Sequence, residues 1–248
     1  MVDNKLWQML KELQSPAYKW VELSHEVSEE TPHHEVFPAL SKKDILTFED
    51  ANVSSVAYTL VSQYGTHVDP PCHFIQGGRA LHEFGVKEMV LPLCVLDFSA
   101  QAKANPDFTL MADDIRAWEK EYGPIPQGAF VAMRTDWSKR PDNDFDNKDA
   151  HGESHFPGWS LEALQYLCEQ RRVGAIGHET SDTDPAYTQK TALWAGELYY
   201  LKQNKFQVEL LKNLDKLPAT GAVIFCMFPM VKNAPGFTAR CFAICPQT

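Results

Sequence analysis

One short stretch, residues 63–73, constrains this chain more than any other, because it combines two histidines, an aspartate, a glycine and two prolines. His67 and Asp69 are two residues apart, so in an extended strand their side chains leave the same face about 6 to 7 Å apart. The two prolines that follow lack a backbone N–H and fix φ, so they end the strand and stiffen the turn that carries His73. A lone His-x-Asp pair is more often an ordinary strand end, but here the third polar side chain and the stiff turn favour a metal site.

Length and composition set the class of protein. At 248 residues, with 44% hydrophobic and 23% charged residues, the chain predicts one globular domain over residues 1–248, with a helical extension over residues 1–20. A net charge of −10 and the lack of any Lys or Arg run argue against nucleic acid as a partner. No stretch approaches the roughly 20 apolar residues of a membrane span, and six scattered cysteines suit reduced thiols, so we expect a cytoplasmic protein without a membrane partner.

Periodicity and residue type predict a chain in which strands and helices alternate, which is typical of an α/β protein. A short apolar stripe that contains Leu6, Trp7 and Leu10, with Asp3 as its cap, predicts an N-terminal helix. A polar segment at 136–155 predicts a loop or lid. Strands are predicted at 54–62, 89–98, 129–135, 173–177, 222–231 and 238–245, and helices at 110–122, 161–171 and about 191–202.

Several separate motifs resemble those of one family. The segment Gly-Thr-His-x-Asp-x-Pro-x-His at 65–73 is similar to the core motif of the cyclase-like metal-dependent hydrolases, which include kynurenine formamidases and isatin hydrolases. Three further elements of that family have counterparts here: Leu-Ser-His followed by Thr-Pro at 23–32, Pro-Gly-x-Ser at 157–160, and Glu-Leu-Leu-Lys-Asn-Leu-Asp-Lys-Leu-Pro at 209–218. The resemblance therefore covers the chain from about residue 21 to its end.

The resemblance implies a fold and an assembly that periodicity alone does not give. The family has a swivelling β/β/α fold, with a mixed sheet or barrel-like core and outer helices. Its members assemble as dimers or tetramers, and a neighbouring subunit's N-terminal segment partly closes the metal cleft. We therefore expect a homodimer or homotetramer, in which Trp7, Trp20 and the region of Phe37 pack at an interface or contact substrate.

The resemblance also implies the metal ligands, and two departures from the family bear on their number. His67, Asp69 and Glu209 match ligand positions, whereas Gln63 stands where the formamidases have a histidine that helps to hold a second zinc. A second such histidine would fall near Glu197, where none is present. We therefore predict one divalent ion per subunit, Mn²⁺ or Zn²⁺, with Gln63 as an additional ligand. The amide oxygen of nearby Gln207 is a weaker candidate for reaching the metal or its water.

Such a site predicts hydrolysis of a small molecule. A divalent ion acidifies a water and polarises a carbonyl, and a nearby imidazole must then move the proton. His73 is the first candidate for this role, and His178, in a polar loop after an apolar strand, is the second. For His178 a structural bond to Asp182 or Asp184 is an equal alternative. The other histidines, at 25, 33, 34, 82, 151 and 155, are predicted to be surface or structural residues.

The predicted substrate is a small cyclic or aromatic carbonyl compound with an amide, lactam or lactone bond. Two other functions stay open from the sequence. One is a metal-dependent cyclase or lyase, which would not incorporate water into its product. The other is a degenerate family member that binds a metal or a small molecule without turnover, because the two histidines named above are missing.

Overall fold

The computed structural model describes residues 4–141, 144–188, 191 and 193–247. The strands are β1 (Tyr18–Glu22), β2 (Ser41–Leu46), β3 (Ser55–Thr59), β4 (His67–Asp69), β5 (Val90–Asp97), β6 (Thr109–Leu110), β7 (Phe130–Arg134), β8 (Gly158–Trp159), β9 (Ala175–His178), β10 (Phe206–Glu209), β11 (Ala222–Met227), β12 (Phe237–Thr238) and β13 (Arg240–Pro246). The helices are α1 (Lys5–Leu13), α2 (Phe48–Ala51), α3 (Ser99–Ala104), α4 (Ala112–Tyr122), α5 (Leu161–Gln165), which continues as a π-helical stretch (Tyr166–Arg171), and α6 (Ala195–Lys202). Short 3₁₀ turns lie at Pro71–His73, Leu81–Glu83, Val86–Met89, Trp137–Lys139, Ala186–Thr188 and Leu214–Lys216.

Nine of these strands form one mixed sheet, in the order β1-β13-β11-β5-β7-β9-β10-β4-β12. The four central strands, β5, β7, β9 and β10, run parallel to one another, and the flanking strands pair antiparallel. Parallel strands in the middle of a sheet are covered on both faces, which explains why β7 is buried at every position but its last. The predicted α/β class, with a mixed sheet and outer helices, is confirmed.

The two faces of the sheet bury two separate cores, as the alternation of strand side chains requires. In β5, Leu93 and Val95 join one core, which is shared with β10, β11 and β13. Their neighbours Cys94 and Leu96 join the other core, which contains α4, α5 and α6. The helices therefore cover one face, and the opposite face is filled by side chains of the curled sheet itself.

Three predicted elements differ from the structure. Residues 54–62 form only β3, which pairs with β2 in a separate hairpin and buries none of its side chains. The alternation of this segment therefore does not place it in the main sheet. The predicted helix at 161–171 changes to π-helical hydrogen bonding after Gln165. The helix predicted from about 191 begins at Ala195. Asp3, the predicted cap of α1, lies outside the described residues.

Among the described residues, no helix combines the length and the apolarity needed to cross a bilayer.

Candidate metal centre

Two paired strands bring together ligands from opposite ends of the chain. β4 and β10 are antiparallel, with Glu209 opposite His67 and Gln207 opposite Asp69. Since residues two apart on a strand share a face, all four side chains point to the same side. All four are buried. The local spacing of the sequence motif and the register of a distant strand thus build one cluster.

The ligand atoms of His67, Asp69 and Glu209 converge. Nε2 of His67 lies 3.1 Å from Oδ2 of Asp69 and 3.5 Å from Oε2 of Glu209. The other ring nitrogen of His67, Nδ1, lies 2.7 Å from the carbonyl oxygen of Gly65. A carbonyl only accepts, so Nδ1 carries a hydrogen and, in the neutral ring, Nε2 presents its lone pair to two carboxylate oxygens.

This donor set fits a divalent cation. Three buried acceptor atoms that face one another repel unless a proton or a cation lies between them. The pKa values show this conflict. Burial alone would lower the pKa of His67, but the Asp69 carboxylate, together with the bond to Gly65 and the charge of Asp182, outweighs burial and raises the pKa. Burial and the repulsion of Glu197 and Asp69 raise the pKa of Glu209 well above its usual range. One imidazole with two carboxylates is a ligand set that Mn²⁺ and Zn²⁺ both accept.

A buried amide side chain, that of Gln207, links Glu209 to Glu197. Nε2 of Gln207 donates to Oε1 of Glu209 at 2.9 Å and to Oε1 of Glu197 at 2.8 Å. The amide oxygen of Gln207 accepts from the hydroxyl of Thr183 at 2.8 Å. The predicted approach of the Gln207 oxygen to a metal is therefore not observed, because the nitrogen of this amide faces the carboxylates.

His178 lies directly behind the cluster. It has no exposed surface and is not among the residues that line the adjoining cavity. Its Nδ1 accepts a hydrogen bond from the indole of Trp159 at 3.3 Å, and its Nε2 lies 3.4 Å from Oε1 of Glu209. Burial and then the neighbouring His67 lower the pKa of His178 to about 3, so the ring is neutral. No described hydrogen bond joins it to Asp182 or Asp184, the partners that the sequence suggested.

A second group of ligand atoms lies beside the first, formed by Asp69, His73 and Glu197. Glu197 is in the first turn of α6, whose N-terminus Asp184 caps by accepting from the backbone N–H groups of Gly196 and Glu197 at 2.8 and 2.9 Å. Burial, followed by repulsion from Asp69, raises the pKa of Glu197 well above its usual range. The sequence interpretation treated Glu197 only as the place of a missing histidine. The carboxyl group itself was the signal that could have identified it.

Gln63 reaches the same place with its amide nitrogen. Its Nε2 donates to Oδ1 of Asp69 at 3.2 Å and to the carbonyl oxygen of Pro235 at 3.1 Å. Because a carbonyl can only accept, this end of the amide must be the nitrogen. An amide nitrogen does not bind a divalent cation. This orientation therefore supports a role for Gln63 as hydrogen-bond donor to Asp69. Its role as a metal ligand stays a prediction.

His73 is half-buried and borders the cavity above the ligands. Its Nδ1 lies 3.4 Å from Nε2 of Gln63, whose two hydrogens have closer acceptors in Asp69 and Pro235. Nδ1 of His73 therefore forms no strong hydrogen bond with Gln63. Its ring packs edge-on against Phe74, with centroids 4.9 Å apart.

The cavity itself has a volume of about 160 Å³. Its rim is apolar and aromatic, and its floor is formed by the ligand groups. The lining residues are His34, Val36, Phe37, Gln63, His67, His73, Phe74, Ser181, Asp182, Trp194, Glu197, Glu209 and Leu210. His34 was predicted to be a surface histidine, but it lines this cavity, with Nε2 4.0 Å from Oδ2 of Asp182.

A larger cleft of about 670 Å³ lies between residues 30–33 and 144–148. Neither of the two ligand groups found in the described part of the chain borders it. Volume alone therefore does not locate the chemistry, and the smaller cavity is the candidate site.

The chain is similar to several known proteins in sequence and in structure. The protein-family model described as Cyclase matches residues 21–185. An isatin hydrolase of Roseibium aggregatum is 37% identical over 193 residues, which span 74% of this chain and 72% of that protein. The structure of isatin hydrolase A from Labrenzia aggregata bound to benzyl benzoate superposes with a TM-score of 0.91 at 31% identity, over 98% of this chain and 100% of that chain. An isatin hydrolase bound to the product analogue thioisatinate gives 0.90 at 28% identity, over 100% of both chains.

Proposed function

Because the chain belongs to the Cyclase family and is a metal-dependent hydrolase, we propose that it opens an amide, lactam or lactone bond in a small aromatic carbonyl compound. One observation carries the proposal: His67, Asp69 and Glu209 converge at the floor of a cavity with an aromatic rim. Among the three bonds, a ring lactam is the first choice. The relatives are named isatin hydrolases, and isatin is a bicyclic aromatic lactam.

The residues that would hold the metal are His67, Asp69 and Glu209, each with one atom directed into the cluster. When bound, a divalent ion at these atoms supplies polarisation of a carbonyl oxygen and a water of lowered pKa. The chain's own contribution is to keep these three groups rigid and buried. Rigid, dry surroundings strengthen the electrostatic effect on a reacting carbonyl.

The rim of the cavity selects a flat substrate. Phe74 and Trp194 meet at a ring-centroid distance of 6.2 Å and an angle of 66°, and Phe37 also lines the cavity. Aromatic faces and edges of this kind bind a planar ring. A volume of about 160 Å³ is close to that of an engineered apolar cavity of about 150 Å³ that binds benzene. The aromatic ring of the substrate would therefore lie against these aromatic side chains, and its reactive carbonyl would lie toward the ligands.

His73 is the residue that we propose to move the proton. Its ring borders the cavity and lies within the ligand group that includes Asp69. From there it takes the proton of the attacking water and delivers it to the leaving nitrogen or oxygen, since an amide or alkoxide is a poor leaving group without a proton. His178, which does not reach the cavity, is less suited to this step.

The proposal is tested by metal analysis and a substrate panel. Purified protein, loaded with Mn²⁺ or Zn²⁺, would be assayed with isatin, with a formanilide and with an aromatic lactone. We expect hydrolysis of isatin to be the fastest, with one oxygen from ¹⁸O-labelled water in the product.

Two results would contradict the proposal. A protein that binds the metal but opens none of the three substrates would be a binding member of the family. A product formed without ¹⁸O would instead indicate cyclase or lyase chemistry.

A further inference from the structure

The residues behind Glu209 carry an inference that rests on the metal site proposed above. We infer that Trp159, acting through His178, positions the carboxylate of Glu209 so that one of its oxygens faces His67 and the other is directed away from His67. His178 is then a positioning residue for the metal ligand and not the base of the reaction.

The first step is the tautomer of His178. Its Nδ1 lies 3.3 Å from the indole Nε1 of Trp159. An indole N–H can only donate, so Nδ1 must present its lone pair, and the neutral ring carries its hydrogen on Nε2. With that hydrogen in place, Nε2 cannot bind a metal ion. His178 is thereby excluded as a ligand although it lies beside the cluster.

The second step is the direction of that hydrogen. Nε2 of His178 is fully buried, forms no hydrogen bond in the described part of the chain, and lies 3.4 Å from Oε1 of Glu209. A buried N–H without an acceptor is costly, so it attracts the nearest carboxylate oxygen. Nε2 of Gln207 donates to this same Oε1 at 2.9 Å. With Gln207 donating to Oε1 and the His178 N–H directed toward that oxygen, Oε2, which is 3.5 Å from Nε2 of His67, is the oxygen that faces the ligand group.

The third step is the rigidity of Trp159. Its side chain is buried, and its backbone N–H donates to the carbonyl oxygen of Thr183 at 2.8 Å. The preceding Gly158 packs so closely on the chain at 183–185 that a Cβ there would lie 2.3 Å from the backbone nitrogen of Pro185. The indole is therefore held against His178. Were the hydrogen on Nδ1 instead, two lone pairs would face each other between His178 and Glu209.

The arrangement has a consequence for metal binding that can be measured without substrate. Partners of metal ligands typically contribute about 10- to 100-fold in metal affinity. Removal of the donor in His178→Leu should therefore weaken Mn²⁺ binding by about that factor. His178→Gln, whose amide nitrogen can occupy the place of Nε2, should restore most of the affinity.

The experiment combines calorimetry with histidine NMR. Metal-free wild type, His178→Leu, His178→Gln and Trp159→Phe would be titrated with Mn²⁺, and Tyr200→Phe would serve as a control that removes a buried hydroxyl outside the ligand cluster. We expect weaker binding in His178→Leu and in Trp159→Phe, and wild-type affinity in the control. The ¹⁵N spectrum of the metal-free wild type should show the His178 hydrogen on Nε2, and Trp159→Phe should show a mixture of tautomers.

Two results would overturn the inference: a wild-type hydrogen on Nδ1, or wild-type Mn²⁺ affinity in His178→Leu. If His178→Leu fails to fold, the wild-type spectrum and the Trp159→Phe titration decide. A protein that binds Mn²⁺ but hydrolyses no lactam would contradict the proposed substrate and leave this inference standing. The two failures are therefore distinguishable.

Discussion

At the scale of single residues, the site depends on amide side chains that engage one oxygen of each carboxylate. Gln63 donates to Oδ1 of Asp69, and Gln207 donates to Oε1 of Glu209. In each glutamine the amide oxygen accepts from a hydroxyl, at 2.5 and 2.8 Å, so neither amide can rotate freely. The other oxygen of each carboxylate faces Nε2 of His67.

The first prediction concerns the number of metal ions. In Gln63→Glu, a carboxylate replaces the amide nitrogen beside the second ligand group of Asp69, His73 and Glu197. An added anionic oxygen completes a second site, so we expect metal content to rise from about one ion per chain to about two. Elemental analysis of protein dialysed against Mn²⁺ or Zn²⁺ would measure this.

The matched control is Gln203→Glu, which adds the same charge at an exposed position after α6. Its metal content should equal that of the wild type. A Gln63→Glu protein that still binds a single ion would show that the amide does not limit the metal count.

The second prediction separates ligand from base. His67→Ala removes an imidazole at the centre of the ligand group, so the protein should lose both its metal and its activity. His73→Ala should retain most of the metal and lose about 10²- to 10⁴-fold in kcat, which is the usual contribution of general acid–base catalysis. Metal content and steady-state kinetics, with far-UV circular dichroism to verify folding, would measure both effects. Full metal occupancy in His67→Ala would show that the ligand assignment is wrong.

At the scale of elements, α4 is joined to the π-helical stretch after α5 by a polar network. Glu119 of α4 accepts from Nε and Nη2 of Arg171 at 2.5 and 2.8 Å and from the hydroxyl of Tyr166 at 2.6 Å. It also accepts from the backbone N–H of Ile125. Burial would raise the pKa of Glu119, but the bonds from Arg171 and Tyr166 outweigh it and lower the pKa from its ordinary value of 4.5.

The third prediction is a pH dependence of stability. A carboxylate with a lowered pKa stabilises the fold fully above its ordinary pKa, and this contribution is lost as pH falls through the lowered value. Glu119→Gln should therefore reduce the free energy of unfolding by about 1.5 to 3 kcal/mol at neutral pH, and by progressively less toward about pH 3. Urea unfolding across this range would measure the difference from wild type. A difference in the free energy of unfolding that stayed constant with pH would contradict the role of this network. The control, Glu162→Gln at an exposed position, should show no difference from wild type.

At the scale of the whole molecule, the N-terminal helix presents an apolar surface that lies outside both cores. Helix α1 contains no buried residue, and Leu6, Trp7 and Leu10 are 77%, 72% and 47% exposed. A helix with an apolar stripe is stable in water when that stripe packs against another surface. We therefore propose that α1 packs on a second copy of the chain, in line with the expected homodimer or homotetramer.

The fourth prediction tests this assembly. Two charges on the apolar face, in Leu6→Glu with Leu10→Glu, should convert the oligomer to a monomer, because a buried unpaired carboxylate is costly at an interface. Light scattering coupled to size exclusion would give the mass. Lys11→Glu, on the same helix, serves as the control and should leave the oligomer intact. A wild-type mass of about 28.1 kDa, that of a single chain, would contradict the proposal.

Much of the architecture could be predicted from local pattern. Runs of β-branched and apolar residues located β5, β7, β9, β11 and β13 to within a few residues. The same rule failed for residues 54–62, because alternation identifies a strand and not the sheet it joins. It also missed β10, whose residues Gln207 and Glu209 are polar yet fully or almost fully buried. From the sequence alone, polar side chains in a strand are predicted to be solvent-exposed, because the groups that they contact in the folded protein are not known.

By itself, the sequence determined the local half of the site. Spacing of two along β4 places His67 and Asp69 on one face whatever the rest of the chain does. The tertiary structure decided the other half: the register of β10 against β4 brings Glu209 to His67, and the cap at α6 buries Glu197 beside them. It also decided which nitrogen of His178 carries hydrogen, because that depends on the indole of Trp159, nineteen residues away. Backbone geometry acts over a few residues, whereas partners, burial and charge depend on contacts between distant segments.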